Sequence, residues 1–140
     1  MLNLMDSFEL QAISTIKQFV DFTHDAIPDK ESINLGFGLE IGMNDAKDSN
    51  ECILILGCKS QVNDIPEEKQ NPLRLEIIIT YSFLVTDPAA FFEESEELRA
   101  KILSNFVYLD FRRKLALAFS SVGLGSIKFP LNLEKLKSMS

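Results

Sequence analysis

Residues Ile33-Asn34-Leu35-Gly36-Phe37-Gly38-Leu39-Glu40-Ile41-Gly42-Met43 alternate between large apolar side chains and small or polar ones without a break. Successive side chains leave a strand on opposite sides, so this alternation predicts a strand with one buried face. Ile33, Leu35, Phe37, Leu39, Ile41 and Met43 share that face, and Asn34, Gly36, Gly38, Glu40 and Gly42 share the other. The second face has almost no bulk. Glycine weakens a strand, so three on one face predict that something packs closely there.

Working outward, residues 51–62 (ECILILGCKSQV) read as a second strand. Its core from Cys52 to Gly57 is apolar on both faces, the pattern of a central strand covered on both sides. Residues 73–86 form a third, with Leu73, Leu75, Ile77, Ile79, Tyr81, Phe83 and Val85 on one face. Its other face, Arg74, Glu76, Ile78, Thr80, Ser82 and Leu84, is only partly polar. Residues 8–24 fit neither period cleanly, and their Ile, Thr, Phe and Val favour a strand with an irregularity over a helix. Ala26 to Lys30 read as a turn, Asn44 to Asn50 as a polar hairpin connection, and 63–72 as a charged loop.

The period changes at Asp87-Pro88. Asp caps helices well and Pro favours the first helical position. Glu93, Glu94, Glu96 and Glu97 then suit the positive end of a helix dipole. Leu98, Ile102, Phe106 and Leu109 run at helical spacing, continued by Leu115, Phe119 and Val122. Asp110 marks an expected break or kink, Gly123 and Gly125 end the segment, and Leu133 to Lys137 suit a short terminal helix.

Strands first and helices last predict an α+β fold, an antiparallel sheet with helices on one face. The uncovered face would then hold Ile53, Ile55, Ile78 and Leu84 beside Gly36, Gly38 and Gly42. An exposed apolar patch of this kind marks an interface, so a homo-oligomer with sheets packed face to face is expected.

The 140 residues amount to one domain, 1–140, and a hydrophobic content of 46% allows one real core. A net charge of −7 opposes nucleic acid and anionic lipid as partners, since both need Lys/Arg stripes. No apolar run reaches the roughly 18–20 residues of a membrane span. The first residues carry no basic charge ahead of their short apolar stretch, so a soluble, cytoplasmic protein is expected. Cys52 and Cys58 lie on one strand face about 20 Å apart at ~3.3 Å per residue, too far for a disulfide. They read as small buried hydrophobes.

No catalytic or metal constellation emerges. His24 is the only histidine, and Asp21 and Asp25 would point away from it on a strand. The glycines at 36–42 lie inside an alternating strand, without the turn and following helix of a phosphate loop. Glu93 to Glu97 read as a solvated helix start, and Arg112-Arg113-Lys114 spread too widely on a helix to form a stripe. The chain has eleven Phe and no Trp, and Phe91, Phe92, Phe111 and Phe129 lie where no simple core needs them. Surplus apolar area on an acidic chain suits binding of non-native polypeptide through burial worth about 25 cal/mol per Å².

Val107-Tyr108-Leu109-Asp110-Phe111-Arg112 resembles the apolar segment leading to an arginine in the SecB family of export chaperones. Pro130-Leu131-Asn132-Leu133-Glu134-Lys135-Leu136 is similar to that family's ending, and Phe8-Glu9-Leu10-Gln11 to its opening strand. The resemblance spans about residues 8–137 and is closer to the divergent SecB-like members. It implies four antiparallel strands, two helices, and a tetramer built as a dimer of dimers. It also implies no enzyme activity, and no cofactor is expected. Clients in that family lie in apolar grooves between the sheet and the helix–loop region. By position, Leu124 resembles the aromatic of the loop, and Pro130, Leu133 and Leu136 fall in the last helix; with Phe129 these are the candidate client-binding residues. Arg112 matches the family arginine, taken as structural.

The family's Phe-Pro is Leu124-Gly125 here, no proline precedes Arg112, and the family's motor-contacting C-terminal extension is longer than the tail ending at Ser140. An export motor as partner therefore stays open. The expected function is ATP-independent holding of unfolded or precursor polypeptides. The alternatives are an adaptor for one dedicated partner, as in toxin–antitoxin systems, and a ligand carrier or enzyme.

Overall fold

Residues 2–23, 34–45 and 49–139 are described by a computed structural model. His24, Ile33 and the expected turn at Ala26 to Lys30 lie outside the described residues.

Four strands, β1 (Phe8–Phe22), β2 (Leu35–Asp45), β3 (Glu51–Val62) and β4 (Leu73–Val85), form one antiparallel sheet in the order β1-β4-β3-β2. The first strand therefore crosses to the far side of the meander formed by the other three. The ambiguous stretch at 8–24 is a strand, and its broken period has a cause. Register shifts between Leu10 and Ala12 and between Thr15 and Lys17 insert extra residues, each of which flips the side-chain alternation. β2 runs two residues past Met43, so Asn44 and Asp45 belong to the strand rather than to the connection after it. Asp45 continues the covered face of β2, where an ion pair described below holds it.

On the covered face, every second residue of β4 from Leu73 to Val85 is buried, as are Cys52, Leu54, Leu56, Cys58, Ser60 and Val62 of β3. The two cysteines are free. Above this face lies a helical layer. Asp87 caps α2 (Pro88–Glu93) by accepting from Ala90 N at 3.2 Å, and Pro88 takes the first helical position. Ser95 opens a second helix, α3 (Glu96–Ser120), by accepting from Leu98 N at 3.1 Å. The break thus falls at Glu94–Ser95 and not at Asp110. Asp110 stays helical because Lys114, one turn on, meets its carboxylate at 2.7 Å and Arg113 approaches at 3.8 Å. α3 ends where Leu124 N bonds to Phe119 O at 2.9 Å and Gly123 takes a φ of 83°, a conformation costly for a side chain with a Cβ. Asn132 then caps the short α4 (Leu133–Ser138). At the other end of the chain, α1 (Leu2–Met5) buries Leu4.

Phe91, Phe111 and Phe129, expected to be surplus, are buried; only Phe92 is partly accessible. Phe8 explains part of this. Its ring sits edge-on to Phe83 at 5.5 Å, Phe91 at 6.5 Å and Phe106 at 5.4 Å, so one end of the core is an aromatic cluster shared by β1, β4, α2 and α3.

Candidate functional site

A cleft of about 470 Å³ opens between the edge strand β2 and the helices α3 and α4. Leu39 and Ile41 form its strand wall, Glu97, Ala100, Lys101 and Ser104 its α3 wall, and Leu133, Glu134 and Lys137 its α4 wall. The strand wall and Leu133 are apolar, and the charges stand at the helical rim.

β2 is a free edge. Asn63 N donates to Asn34 O at 2.7 Å, so Asn34 and Asn63 are a hydrogen-bonded pair. Antiparallel pairs alternate, so the even-numbered residues of β2 bond to β3. The backbone groups of Leu35, Phe37, Leu39, Ile41 and Met43 point outward, away from the sheet. The residues whose side chains form the apolar row thus also present donors and acceptors beside the cleft that no other described strand pairs.

Beyond Leu39 and Ile41 in both directions, β2 contacts the helical layer directly. At one end, the Phe37 ring packs on Phe119 at 5.9 Å and Phe129 at 5.7 Å. At the other, Asp45 Oδ2 accepts from Arg99 Nε at 3.1 Å, with both side chains 10% exposed.

The segment leading to α4 is strapped to α3. Arg112 donates from Nε and Nη2 to the Phe129 carbonyl at 3.0 and 2.9 Å, and Tyr108 Oη donates to the Pro130 carbonyl at 2.6 Å. Burial pushes the Tyr108 phenol above its ordinary pKa, against the lowering charge of Arg112, so it remains a donor. Of the expected client-binding residues, Leu124, Phe129, Leu133 and Leu136 are buried within the chain and Pro130 is half-buried. Only Leu133 lines the cleft. Leu39, Ile41, Ala100, Lys101 and Ser104 were not expected there. The alternation marks Leu39 and Ile41 as inward-facing, but edge position alone makes them a cleft wall.

Gly36, Gly38, Gly42, Ile53, Ile55 and Ile78 lie together on the uncovered face, as their register requires. Ile55 is 38% exposed, while Ile53 and Ile78 are half-buried. The Asn63 side chain lies over Gly36 and Ile55 beside Gly42, but a Cβ on Gly38 would meet nothing within 4 Å. Close packing on the stripe therefore does not come from the described chain at Gly38. Charge interrupts the face: Glu76 meets Lys17 at 2.8 Å and Lys59 at 3.6 Å. The hydrogen bond from Lys17, chiefly, holds the Glu76 carboxyl below its usual pKa.

Exposed apolar residues also lie on α3. Leu103, Val107, Phe111, Leu115 and Ala118 face the core, whereas Leu109 is 61% and Leu117 56% exposed. Phe106 is 50% exposed, with its inner edge against Phe8 and Phe83. Lys101, Asn105, Arg113 and Lys114 stand among them, so these apolar side chains are separated by polar ones. The sequence periodicity mixes these two faces, which is why the outer one was not expected. Among the described residues no group of three or more His, Cys, Asp or Glu side chains is placed to hold a metal ion, and no helix is long and apolar enough to cross a membrane.

No known family pattern matches this sequence, and no curated protein matches it. Among solved structures, the chain is similar to the SecB-like chaperone Rv1957 of Mycobacterium tuberculosis, determined in complex with a ChAD peptide from the antitoxin HigA1, Rv1956. The identity is 12%, the match covers 94% of this chain and 95% of the other, and the TM-score is 0.67. At that identity the likeness establishes the architecture: this is the SecB-like fold.

Proposed function

We propose that this chain of SecB-like fold binds extended, non-native polypeptide in the cleft between β2 and the helices and keeps it soluble without nucleotide or metal. The observation that carries the reading is the coincidence of a cleft whose strand wall is apolar with a sheet edge left open by the described residues. An extended segment alongside β2 could bond to the outward groups of Leu35 to Met43 and place alternate side chains over Leu39, Ile41 and Leu133. Backbone pairing is indifferent to sequence, as a general binder requires. Holding of this kind involves no bond-making or bond-breaking step. It competes with aggregation by mass action. The decisive experiment adds the protein to a denatured client and follows light scattering. Suppression at substoichiometric ratios is expected, and none at a fourfold excess would refute the function.

The same cleft supports a second reading, an adaptor for one dedicated partner. The peptide-bound state of the similar mycobacterial chaperone favours it, since that peptide comes from a specific antitoxin. Pulldown separates the two, with many partners for a holdase and one for an adaptor. Delivery of held chains to export belongs to the first reading, with an export motor as its further partner.

The reading includes a homo-oligomer, a dimer or tetramer of single-domain subunits. The exposed Leu109 and Leu117 of α3 and the half-exposed sheet face around Ile55 supply apolar area for a second copy. It also places the protein in the cytoplasm, with which the free thiols of Cys52 and Cys58 accord.

A further inference from the structure

The contacts that flank the cleft along β2 differ in chemistry. The Phe37 end is a packed cluster of rings, which no simple change of charge can open. The Asp45 end is a single ion pair with an elaborate mount. Arg99 donates from Nε to Asp45 at 3.1 Å and from Nη1 to the Glu94 carbonyl at 2.6 Å. Its guanidinium also lies against the rings of Phe91 and Phe92, with centroid distances of 5.4 and 4.9 Å. The arginine is thus fixed on the helical layer, at the junction of α2 and α3. Asp45 is the less anchored partner: it ends a strand that, among the described residues, bonds to β3 on one side only.

We infer that the Asp45–Arg99 pair is a latch on the end of β2: closed, it draws the strand against α3, and open, it lets the cleft lengthen from Ile41 toward Asp45 and admit a longer stretch of chain. Four residues of strand at ~3.3 Å each add about 13 Å to the groove. The latch deepens the polypeptide-binding reading and rests on it, since it regulates entry to that same site. A buried pair suits the task. Both partners are held tightly while paired, and losing one leaves the other charge buried and uncompensated, which drives the strand end away.

The chain carries its own reporters. Cys52 lies opposite Asp45 in the β2–β3 register and is fully buried. Cys58 lies opposite Leu39, toward the aromatic end, and is also buried. Opening of the latch uncovers the first thiol and not the second.

The test uses the full chain with Asp45→Asn, treated with iodoacetamide under native conditions, the modified thiol being located by peptide mass mapping. Cys52 should react about tenfold faster than in the wild type, as for loss of a local closing contact, with Cys58 nearly unchanged. Arg99→Lys, which keeps the charge but loses the fork and the stacking, should act the same way at smaller amplitude. In parallel, a fluorescent 16-residue peptide of alternating Leu and Ser with lysines at both ends should associate several-fold faster with the variants. Equal acceleration of both thiols, or of neither, overturns the latch and leaves the polypeptide reading standing. Faster Cys52 labelling with unchanged peptide association overturns its role in admission. A wild type that binds no peptide overturns the polypeptide reading and the admission role with it, while the thiol rates still tell a moving strand end from a fixed one.

Discussion

The Tyr81 hydroxyl donates to Asp110 Oδ2 at 2.9 Å, joining the second strand of the sheet to the middle of α3 beneath the helical layer. Burial alone would raise the Asp110 pKa. Hydrogen bonds from Lys114 and Tyr81 and the charges of Lys114 and Arg113 outweigh it, so the carboxyl is held below its ordinary 3.8. Asp110→Ala leaves the Tyr81 hydroxyl buried without this partner and should cost about 1–3 kcal/mol, while Tyr81→Phe should cost nearer ~1 kcal/mol. Urea denaturation midpoints would measure both. The sign of the pH effect follows from the lowered value: the contribution is complete above pH 3.8 and disappears as pH falls through the folded-state pKa. Asp110→Asn should flatten that acid limb.

At the alkaline end three groups act together. Burial pushes the thiols of Cys52 and Cys58 from 9.0 to about 12, and burial with the Asp110 hydrogen bond pushes the Tyr81 phenol well above its usual 10.0. Their folded-state values exceed the unfolded ones, so the stability they contribute is complete below pH 9 and is lost as pH rises from 9 toward 12. Denaturation at pH 8 and pH 10.5 should show the drop. The double variant Cys52→Ala, Cys58→Ala should be less stable at pH 8 but show a shallower fall. An equal fall would assign the effect to other groups.

Arg112 holds the Phe129 carbonyl with two charged donors. Arg112→Ala should cost about 1.5–3 kcal/mol, the range for hydrogen bonds to charged groups. The effect should be local first. Amide exchange in α4 should quicken before that in β4, because a helix of six residues has little stability apart from its docking.

Leu109 and Ile55 mark the two apolar surfaces available to a second copy. Leu109→Glu should shift native mass spectra toward the monomer if copies meet through α3. Ile55→Glu should do so if they meet through the sheets. Loss of assembly in neither variant would refute an oligomer built on these faces.

Gly38 offers a finer test of the sheet face. With open space above it, Gly38→Val should gain about 0.5–1 kcal/mol from strand propensity in the isolated chain. A dimer closed across the glycine stripe would instead be broken by the same substitution, which sedimentation would detect.

Much of the fold was legible because period two is a local property. Each residue of Leu35 to Met43 declares its face by its neighbours, and the Asp87-Pro88 pair declares a helix start by its own capping chemistry. Register shifts in β1 blurred that signal, and the ion pairs of Asp110 removed a break that its residue type suggested.

The sequence by itself determined which residues are apolar and on which side of a strand they stand, and hence a sheet with helices on one face. Only the tertiary structure decided which apolar residues are covered. Phe129, Leu133 and Leu136 are buried while Leu109 and Leu117 of the same apolar character stand in the open, and Leu39 and Ile41 became a cleft wall because their strand lies at the edge. Hydrophobicity drives a side chain out of water without naming what it packs against. That choice is made by the order of the strands and the docking of a helix, which join residues far apart in the chain.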